Sequence, residues 1–429
     1  MIKALLNKYK SSDGLKNITK LTSANIIAQL ISISTAPILY RIYNKEFYGT
    51  LGIYMAIVGV IGVFSTLQYL QTIMLEKEDE NAINAMWLNR FINIAFTLIV
   101  LFLIIVLLPF IVKWLKNPLL NKWIWFIPFS IFFNGQNAIF SVWANRKKEY
   151  NILTFNNTLL AITTPIVSIA LGLLVNNETG LFLGLFVGQM FPSLILYFAL
   201  KRKYNLGFSQ TNKSNIFKLA KDYKSFPIYS LPSELINNLT NQLPVFMLNS
   251  FVGVAAVGVY NLAVRMLGMP ISLIGGSISS IFQQKATEQY NMYGNCRPIF
   301  VKTLKSLLAI SILPTLIIIF FGPQLFSFVF GSKWHEAGIY AQILIALFMG
   351  KLIVSPLSYT FLIAKKQKED FLWHVWMLVS NIFIFYFMFK LNFGVKYVLL
   401  VYSLNYLMIY LIYVVKSYKF SLNYGFNKT

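Results

Sequence analysis

Long uninterrupted apolar runs restrict the possible folds of this chain more than any other feature. No charged side chain occurs in FINIAFTLIVLFLIIVLLPFIV at residues 91–112 or in LLAISILPTLIIIFF at residues 307–321. About 20 predominantly apolar residues in a helix cross the hydrocarbon core of a bilayer. Charged residues make up 12% of the chain, which is about half the fraction found in soluble domains. We therefore predict an all-α polytopic membrane protein.

The apolar pattern predicts about twelve transmembrane helices connected mostly by short loops. One longer connection, the basic and polar segment at residues 201–225, separates the first six helices from the last six. We predict two six-helix lobes, at residues 1–200 and 226–429, which share one orientation because each contains an even number of spans. The predicted spans lie at residues 21–40, 48–74, 88–112, 122–143, 153–175, 180–200, 226–249, 254–281, 300–321, 337–362, 371–389 and 396–415.

The distribution of basic residues orients these helices. The net charge of +23 would suggest a nucleic-acid partner in a soluble chain. With the N-terminus assigned to the cytoplasm, 27 of the 37 Lys and Arg residues fall in cytoplasmic segments and eight in outer loops. This asymmetry follows the positive-inside rule. We therefore expect both termini in the cytoplasm and no nucleic-acid partner.

Several motifs that would indicate an enzyme or a metalloprotein are missing from the sequence. No G-x-x-x-x-G-K-[ST] phosphate-binding loop occurs, so no Walker site is expected. Cys296 is the only cysteine, and His335 and His374 lack the spacing of metal ligands. We expect no enzymatic activity, metal or cofactor. A secondary transporter, a channel and a membrane scaffold remain.

Charged residues within the predicted spans need a specific explanation, because each costs about 2.5–3.5 kcal/mol at the bilayer centre. The predicted depths of Glu234 and Arg265 nearly coincide, so they form a structural ion pair or act as ligands in a water-filled cavity. If Glu234 lies in such a cavity, it is the candidate coupling-ion site. Lys351 either extends to the cytoplasmic boundary or lines the cavity. Arg41, at the outer end of helix 1, is an interfacial anchor or a substrate contact.

Polar side chains recur along the first helix of each predicted lobe. Their three- and four-residue spacing places them on one helix face: Asn25, Gln29 and Ser32 in helix 1, and Ser230, Glu234, Asn237 and Asn241 in helix 7. Hydrogen bonds between helices explain single amides, but a continuous stripe favours a polar cavity. The candidate substrate-binding residues are Arg265, Lys351, Arg41, Asn25, Gln29, Asn237 and Asn241.

Three stretches carry a family resemblance. They are PILYRIYNKEFYGTLGIY at residues 37–54, VWANRKKEYN at residues 142–151, and the region from SFPIYSLPSELINNLTNQLP to SSIFQQKATE at residues 225–288. In these stretches the chain resembles the Wzx-type polysaccharide repeat-unit flippases of the multidrug/oligosaccharidyl-lipid/polysaccharide exporter superfamily. Twelve spans and a basic loop between helices 6 and 7 also agree with that family.

This resemblance implies two six-helix lobes around a central cavity that opens alternately to each side of a bacterial cytoplasmic (inner) membrane. The implied substrate is an oligosaccharide joined by a diphosphate to a polyprenol, used for a surface polysaccharide such as the O-antigen of lipopolysaccharide. Membrane lipid, H⁺ or Na⁺, a polysaccharide polymerase and chain-length proteins are the implied partners. Two cations against one anion within the spans suit an anionic substrate. The alternatives are a cation-coupled multidrug exporter and a non-transporting scaffold of polysaccharide assembly.

Overall fold

Helices form all the regular secondary structure in the described part of the chain. The computed structural model describes residues 13–422 apart from 116, 176, 205, 209, 210 and 365, and excludes the side chains of residues 13–25, 111–115, 273 and 367. The main helices are α1 (Asp13–Ile42), α2 (Lys45–Gly62), α3 (Asp79–Leu115), α4 (Ile127–Arg146), α5 (Tyr150–Val175), α6 (Thr179–Tyr204), α7 (Lys213–Asp222), α8 (Leu231–Phe251), α9 (Val254–Pro270), α10 (Gly276–Tyr293), α11 (Arg297–Phe330), α12 (His335–Leu357), α13 (Gln367–Lys390) and α14 (Val395–Ser421).

Helices occupy each of the twelve predicted positions, although they differ in length and polarity. Eight segments of the described chain are long and apolar enough to cross a membrane, and Ile26–Ile42 and Val254–Pro270 are shorter apolar helices. The chain is an all-α polytopic membrane protein, while the count of twelve spans stays a prediction. The eight segments are Lys45–Thr66, Asp79–Phe110, Tyr150–Val175, Thr179–Tyr204, Arg297–Phe330, Ser332–Ile363, Lys368–Lys390 and Val395–Ser421.

Two predicted spans, 48–74 and 254–281, are not single α-helices. The second helix ends at Gly62, and Leu67 then adopts a left-handed backbone conformation with a φ of 46°. In the eighth span the α-helix ends at Pro270, and a five-residue π-type turn leads into α10. Proline lacks the backbone N–H that continues a helix. Polar residues mark the first break at Ser65, Thr66 and Gln68, and Pro270 with the glycine pair Gly275 and Gly276 marks the second.

The chain divides into two compact units, Met1–Asn238 and Leu239–Thr429, called unit 1 and unit 2 below. This division falls within α8 rather than in the basic linker predicted at residues 201–225. The linker belongs to unit 1 because its helix, α7, buries Ile216 and Leu219 in a hydrophobic cluster formed with α3, α4 and α6.

Small residues bring α5 and α6 of unit 1 into close contact. A β-carbon added at Gly184 would lie 2.9 Å from the Thr164 carbonyl oxygen and 2.0 Å from Ser168 Oγ. Such close backbone approach is a main source of helix association in lipid, where apolar side chains gain little by leaving the bilayer. The small residues recur at every fourth position: Gly180, Gly184 and Gly188 on α6, and Thr164, Ser168 and Gly172 on α5.

The stretch at residues 37–54, which carries part of the family resemblance, joins three helices of unit 1. Asn44 caps α2 by accepting a hydrogen bond at 2.9 Å from a backbone N–H of its first turn. The Tyr43 hydroxyl donates to the carbonyl oxygen of Ser168 on α5 at 2.6 Å. The two neighbouring side chains therefore fix both the start of α2 and its position against α5.

The stretch at residues 142–151 forms a second joint in unit 1. Arg146, at the end of α4, donates from Nη1 to the carbonyl oxygens of Ile73 at 3.1 Å and Glu76 at 2.5 Å. A guanidinium has five donors in a fixed plane, which suits the exposed carbonyls at the end of a short helix. The motif therefore has a structural role: it holds the segment between α2 and α3 against α4.

Candidate functional site

The two predicted cations of unit 2 lie on helices that pack against each other. A β-carbon at Gly268 of α9 would lie 3.7 Å from the Phe348 ring of α12. Arg265 lies about one turn before Gly268, and Lys351 about one turn after Phe348. Because the two helices run in the same direction, the cations differ in depth by about 9 Å at 1.5 Å per residue. Both side chains are exposed.

Helix α12 forms most of the span Ser332–Ile363, which is the most enclosed of the eight apolar spans. In its most apolar stretch, 67% of the residues are buried. The helix packs between α9, α11 and α14. Gly350 and Leu352 are buried, whereas Lys351 and Ser355, one turn apart, are exposed. Helix α12 therefore presents a narrow polar edge on an otherwise buried surface.

Glu234 lies in the first turn of α8 and contacts the amide of Asn238, which lies outside the predicted polar stripe. Asn238 donates from Nδ2 to Glu234 Oε1 at 2.8 Å and to the Glu234 carbonyl oxygen at 3.1 Å. Asn237 is half-buried and Asn241 is exposed. A π-type turn at Phe226–Ser230 precedes this helix, and such turns are frequent at functional sites. The four-residue spacing of Glu234 and Asn238 was the available sequence signal.

The remaining candidate residues of unit 1 lie in α1. Gln29 is half-buried, and Arg41 is exposed in the last turn of α1. Asn25 belongs to α1, but the structure does not describe its side chain. The predicted ion pair joins Glu234 of unit 1 to Arg265 of unit 2, and it stays a prediction.

Arg90 is a further cation within a span, and the sequence pattern places it only at the cytoplasmic edge. It lies well inside α3, where Nε donates to Gln136 Oε1 at 3.1 Å. Gln136 donates in turn from Nε2 to Asn93 Oδ1 at 2.9 Å. The asparagine-rich segment NAINAMWLNRFIN was the signal that could have indicated this polar cluster. Cation–π contacts of 4.3 to 5.2 Å join the guanidinium to the rings of Trp87, Phe140 and Tyr197.

A separate polar network joins α13 to α14 in unit 2. Asn381 is fully buried and donates to the Tyr406 hydroxyl at 3.1 Å. Asn405 donates to Ser380 Oγ at 3.0 Å and to Asn381 Oδ1 at 3.3 Å. These groups satisfy one another, so the network fits helix association in lipid.

An apolar cavity of about 290 Å³ lies beside the bend at Pro270. Side chains of α9, α11 and α12 line it, and Leu313 on its rim is 66% exposed. Proline kinks and π-type turns are the usual sites of helix bending. The cavity therefore lies directly beside the junction between α9 and α10.

The fold is that of a known class of membrane transporters. A multidrug resistance MATE family transporter of the MOP superfamily, in an inward-facing conformation, matches with a TM-score of 0.72 and 13% identity over 93% of this chain and 96% of that one. The lipid II flippase MurJ matches with a TM-score of 0.71 and 15% identity over 94% and 90% of the two chains. A MOP superfamily transporter from Pyrococcus furiosus gives 0.65 and 13% over 96% and 97%. The chain therefore shares its fold with these solved structures.

The family follows from the sequence comparison. The family described as polysaccharide biosynthesis protein matches residues 38–339, and the chain belongs to it, which confirms the resemblance drawn from the three sequence stretches. Teichuronic acid biosynthesis protein TuaB of Bacillus subtilis (strain 168) is 27% identical over 183 residues. This match covers 42% of the chain and 36% of that relative, so the chain spans little more than a third of the relative's length.

Proposed function

We propose that this chain is a flippase of lipid-linked saccharides. In this proposal it is a secondary transporter that moves an oligosaccharide, joined by a diphosphate to a polyprenol, from the cytoplasmic to the outer leaflet by alternating access. The oligosaccharide serves the assembly of a surface polysaccharide, of which an O-antigen is one example. The membrane is the bacterial cytoplasmic membrane, with both termini on the cytoplasmic side.

The observation that carries the proposal is the placement of Arg265 and Lys351 on the packed helices α9 and α12. Both are exposed side chains within predicted spans, where a cation without a function is expensive. Attraction between a cation and a phosphate is much stronger in a low-dielectric site than in water. Two cations about two helical turns apart suit a diphosphate that changes its depth during transport.

The family and the fold support the same substrate class. The chain belongs to a polysaccharide biosynthesis family, and its fold is shared with a protein named as a lipid II flippase. The sequence relative is named for teichuronic acid biosynthesis. Together these similarities favour a lipid-linked saccharide over a free sugar or a metal ion.

Charge reversal tests the proposed role of the two cations. The purified chain is reconstituted in proteoliposomes that contain a fluorescent polyprenyl-diphosphate oligosaccharide, and translocation is measured by its access to an enzyme on one side. Arg265→Glu and Lys351→Glu should each abolish translocation, because a desolvated repulsion replaces an attraction. Lys302→Glu, at an exposed position near the start of α11, is the matched control and should retain activity.

Two outcomes contradict this proposal. Normal translocation by both Arg265→Glu and Lys351→Glu would remove the cations from the mechanism. Absence of translocation by the wild-type chain, combined with a cellular requirement for it in polysaccharide assembly, would favour the scaffold alternative.

Thiol accessibility tests whether the polar stripes line an aqueous path. Single cysteines replace stripe residues in a Cys296→Ser background, since Cys296 is the only cysteine and is buried. Those on the stripes should react with charged thiol reagents, whereas Phe102→Cys and Phe320→Cys, at exposed apolar positions, should not. Equal reactivity of the stripe positions and the control positions refutes the proposed polar cavity. The stripe positions are Asn25, Gln29, Glu234, Asn237 and Asn241.

One observation favours the multidrug exporter as a second candidate. Glu234 is an acidic group whose Oε1 accepts from Asn238, and a carboxylate in a cavity suits an organic cation exchanged for H⁺ or Na⁺. Uptake of a fluorescent organic cation into the same proteoliposomes, driven by an ion gradient, distinguishes this function. Cation transport without saccharide translocation would replace the flippase proposal.

A further inference from the structure

Helix α7, in the linker, carries an exposed basic face with one aromatic side chain at its centre. Lys213, Phe217 and Lys221 follow at four-residue spacing, which places them on one side of the helix. All three are exposed, and Phe217 is 81% exposed. Lys224 follows in the next turn and is also exposed. Among the described residues, no side chain forms an ion pair with Lys213, Lys221 or Lys224.

The opposite side of α7 fixes the helix on unit 1. Ile216 and Leu219 are buried in the hydrophobic cluster that includes residues of α3. Two hydrogen bonds hold the ends: the Asn212 N–H donates to Asn84 Oδ1 at 2.9 Å, and a tyrosine hydroxyl donates to the Ala220 carbonyl oxygen at 2.9 Å. The basic face therefore has a fixed position relative to the membrane-spanning helix α3.

That position is close to the level at which α3 enters the apolar part of the membrane. The Phe208 ring, just before α7, packs edge-on against Trp87 at 5.2 Å and Phe91 at 5.5 Å. From Phe91 onward α3 exposes large apolar side chains, of which Leu98 is 59% exposed. Trp and other aromatic residues commonly mark the membrane–water interface. Helix α7 thus lies beside an interfacial aromatic cluster.

We propose that the face formed by Lys213, Phe217 and Lys221 binds anionic phospholipid headgroups, with the Phe217 ring inserted between the lipids. A helix with basic residues around an apolar side chain is typical of a segment that lies in the interface. By the positive-inside rule this is the cytoplasmic leaflet, whose anionic lipids attract basic segments. The site lies on the linker, and its test does not depend on the transported substrate.

The observations favour a lipid over an acidic protein partner. An aromatic ring with 81% of its surface exposed is stabilised by an apolar environment, and the neighbouring aromatic cluster places lipid within reach. Each lysine near the membrane surface raises the affinity for anionic headgroups about fivefold. A protein partner would leave this face in water in the purified chain, which gives the two possibilities different signatures.

Depth-dependent quenching provides the first test. A fluorophore is attached at Phe217→Cys in a Cys296→Ser background, and the chain is placed in nanodiscs with or without phosphatidylglycerol. The control is Asp222→Cys, an exposed position about 140° around the helix from Phe217. Doxyl-labelled lipids should quench the fluorophore at position 217, and aqueous iodide should quench only the control. Iodide quenching at 217 equal to that at 222, without doxyl quenching, overturns the proposal and favours a protein partner.

Lipid retention provides the second test, which does not require a label at position 217. Native mass spectrometry compares the wild-type chain with the triple variant Lys213→Gln, Lys221→Gln and Lys224→Gln. Retention of phosphatidylglycerol should fall by at least about tenfold, given about fivefold per lysine. The control removes the same charge at the exposed positions Lys285, Lys302 and Lys305 and should retain the lipid. An equal loss in both triple variants would show attraction by net charge alone and would overturn the site.

Discussion

Arg90 donates a hydrogen bond from Nε to Oε1 of Gln136 at 3.1 Å, inside unit 1. Among the described residues the guanidinium contacts one side-chain amide and three aromatic rings but no carboxylate. A half-buried charge without an opposite charge depends on such contacts for its stability. The Arg90–Gln136 bond therefore links α3 to α4 through a group that is costly to leave unsatisfied.

The first prediction concerns this bond. Gln136→Leu should lower the free energy of unfolding by about 1–3 kcal/mol, because it leaves Arg90 Nε and Asn93 Oδ1 without partners. Thermal unfolding in detergent measures the loss. Gln284→Leu, at an exposed position of α10, is the control and should change stability little. A Gln136→Leu variant as stable as the wild type would show that water replaces the amide and that the site is hydrated.

The second prediction concerns the closest helix contact of unit 1. Gly184→Ala places a β-carbon 2.9 Å from the Thr164 carbonyl oxygen and 3.0 Å from the Ser168 backbone nitrogen. Because backbone atoms cannot move aside as a side chain can, α5 and α6 must separate, at a cost of about 1–3 kcal/mol. Thermal unfolding should detect the loss. Gly276→Ala is the matched control, since no heavy atom lies within 4 Å of the added carbon; a similar loss there would contradict the steric explanation.

The third prediction concerns Glu149 in the loop between α4 and α5. Lys203 Nζ donates to its Oε1 at 2.5 Å, and the Tyr204 hydroxyl donates to the same oxygen. These hydrogen bonds hold the pKa of Glu149 below its usual value of 4.5. A lowered pKa stabilises the folded state at pH values above 4.5, and the stabilisation is lost as the pH falls through the folded-state pKa.

Glu149→Gln should therefore be less stable than the wild type above about pH 5, by up to about 1 kcal/mol because the pair is partly solvated. The difference should shrink as the pH falls below that range. Melting temperatures measured across this pH range give the comparison, and Glu80→Gln, at an exposed position, is the control. A difference that does not change with pH would indicate that packing, rather than charge, stabilises this contact.

The sequence predicts the fold class and the helix positions because lipid imposes one strong requirement. Each span must be apolar and must satisfy its own backbone hydrogen bonds, so hydropathy and helix are linked. Hydropathy averaged over a whole span does not show where a break such as the one near Leu67 falls, because Ser65, Thr66 and Gln68 form only a short polar interruption. The glycines at positions 180, 184 and 188 are visible as a pattern, but only the structure shows that α5 is their partner.

The candidate site is less predictable than the fold, for a physical reason. Hydropathy gives the depth of a charged residue but not the direction of its side chain or its partner. Arg90 illustrates this limit: α3 extends well before its apolar run, so a residue at the apparent edge of the span packs between α4 and α6. Asn238 illustrates a second limit: the spacing of polar residues predicts a role for Asn237, whereas Asn238, on the neighbouring face, contacts Glu234.

The last prediction concerns the proposed roles of Glu234 and Arg265. Glu234→Gln alone would leave a cation without its proposed partner, so loss of transport in that variant has two explanations. The double variant Glu234→Gln with Arg265→Gln removes both charges, and it should accumulate in the membrane yet remain inactive in the proteoliposome assay. The reason is that one of the two charges acts in the transport cycle. Asn238→Leu, which removes the amide that donates to Glu234 Oε1 at 2.8 Å, is the companion variant. If Glu234 binds a coupling ion, Asn238→Leu should shift the pH or Na⁺ dependence of transport rather than abolish transport. Restored transport in the double variant would show that the two charges form only a structural pair.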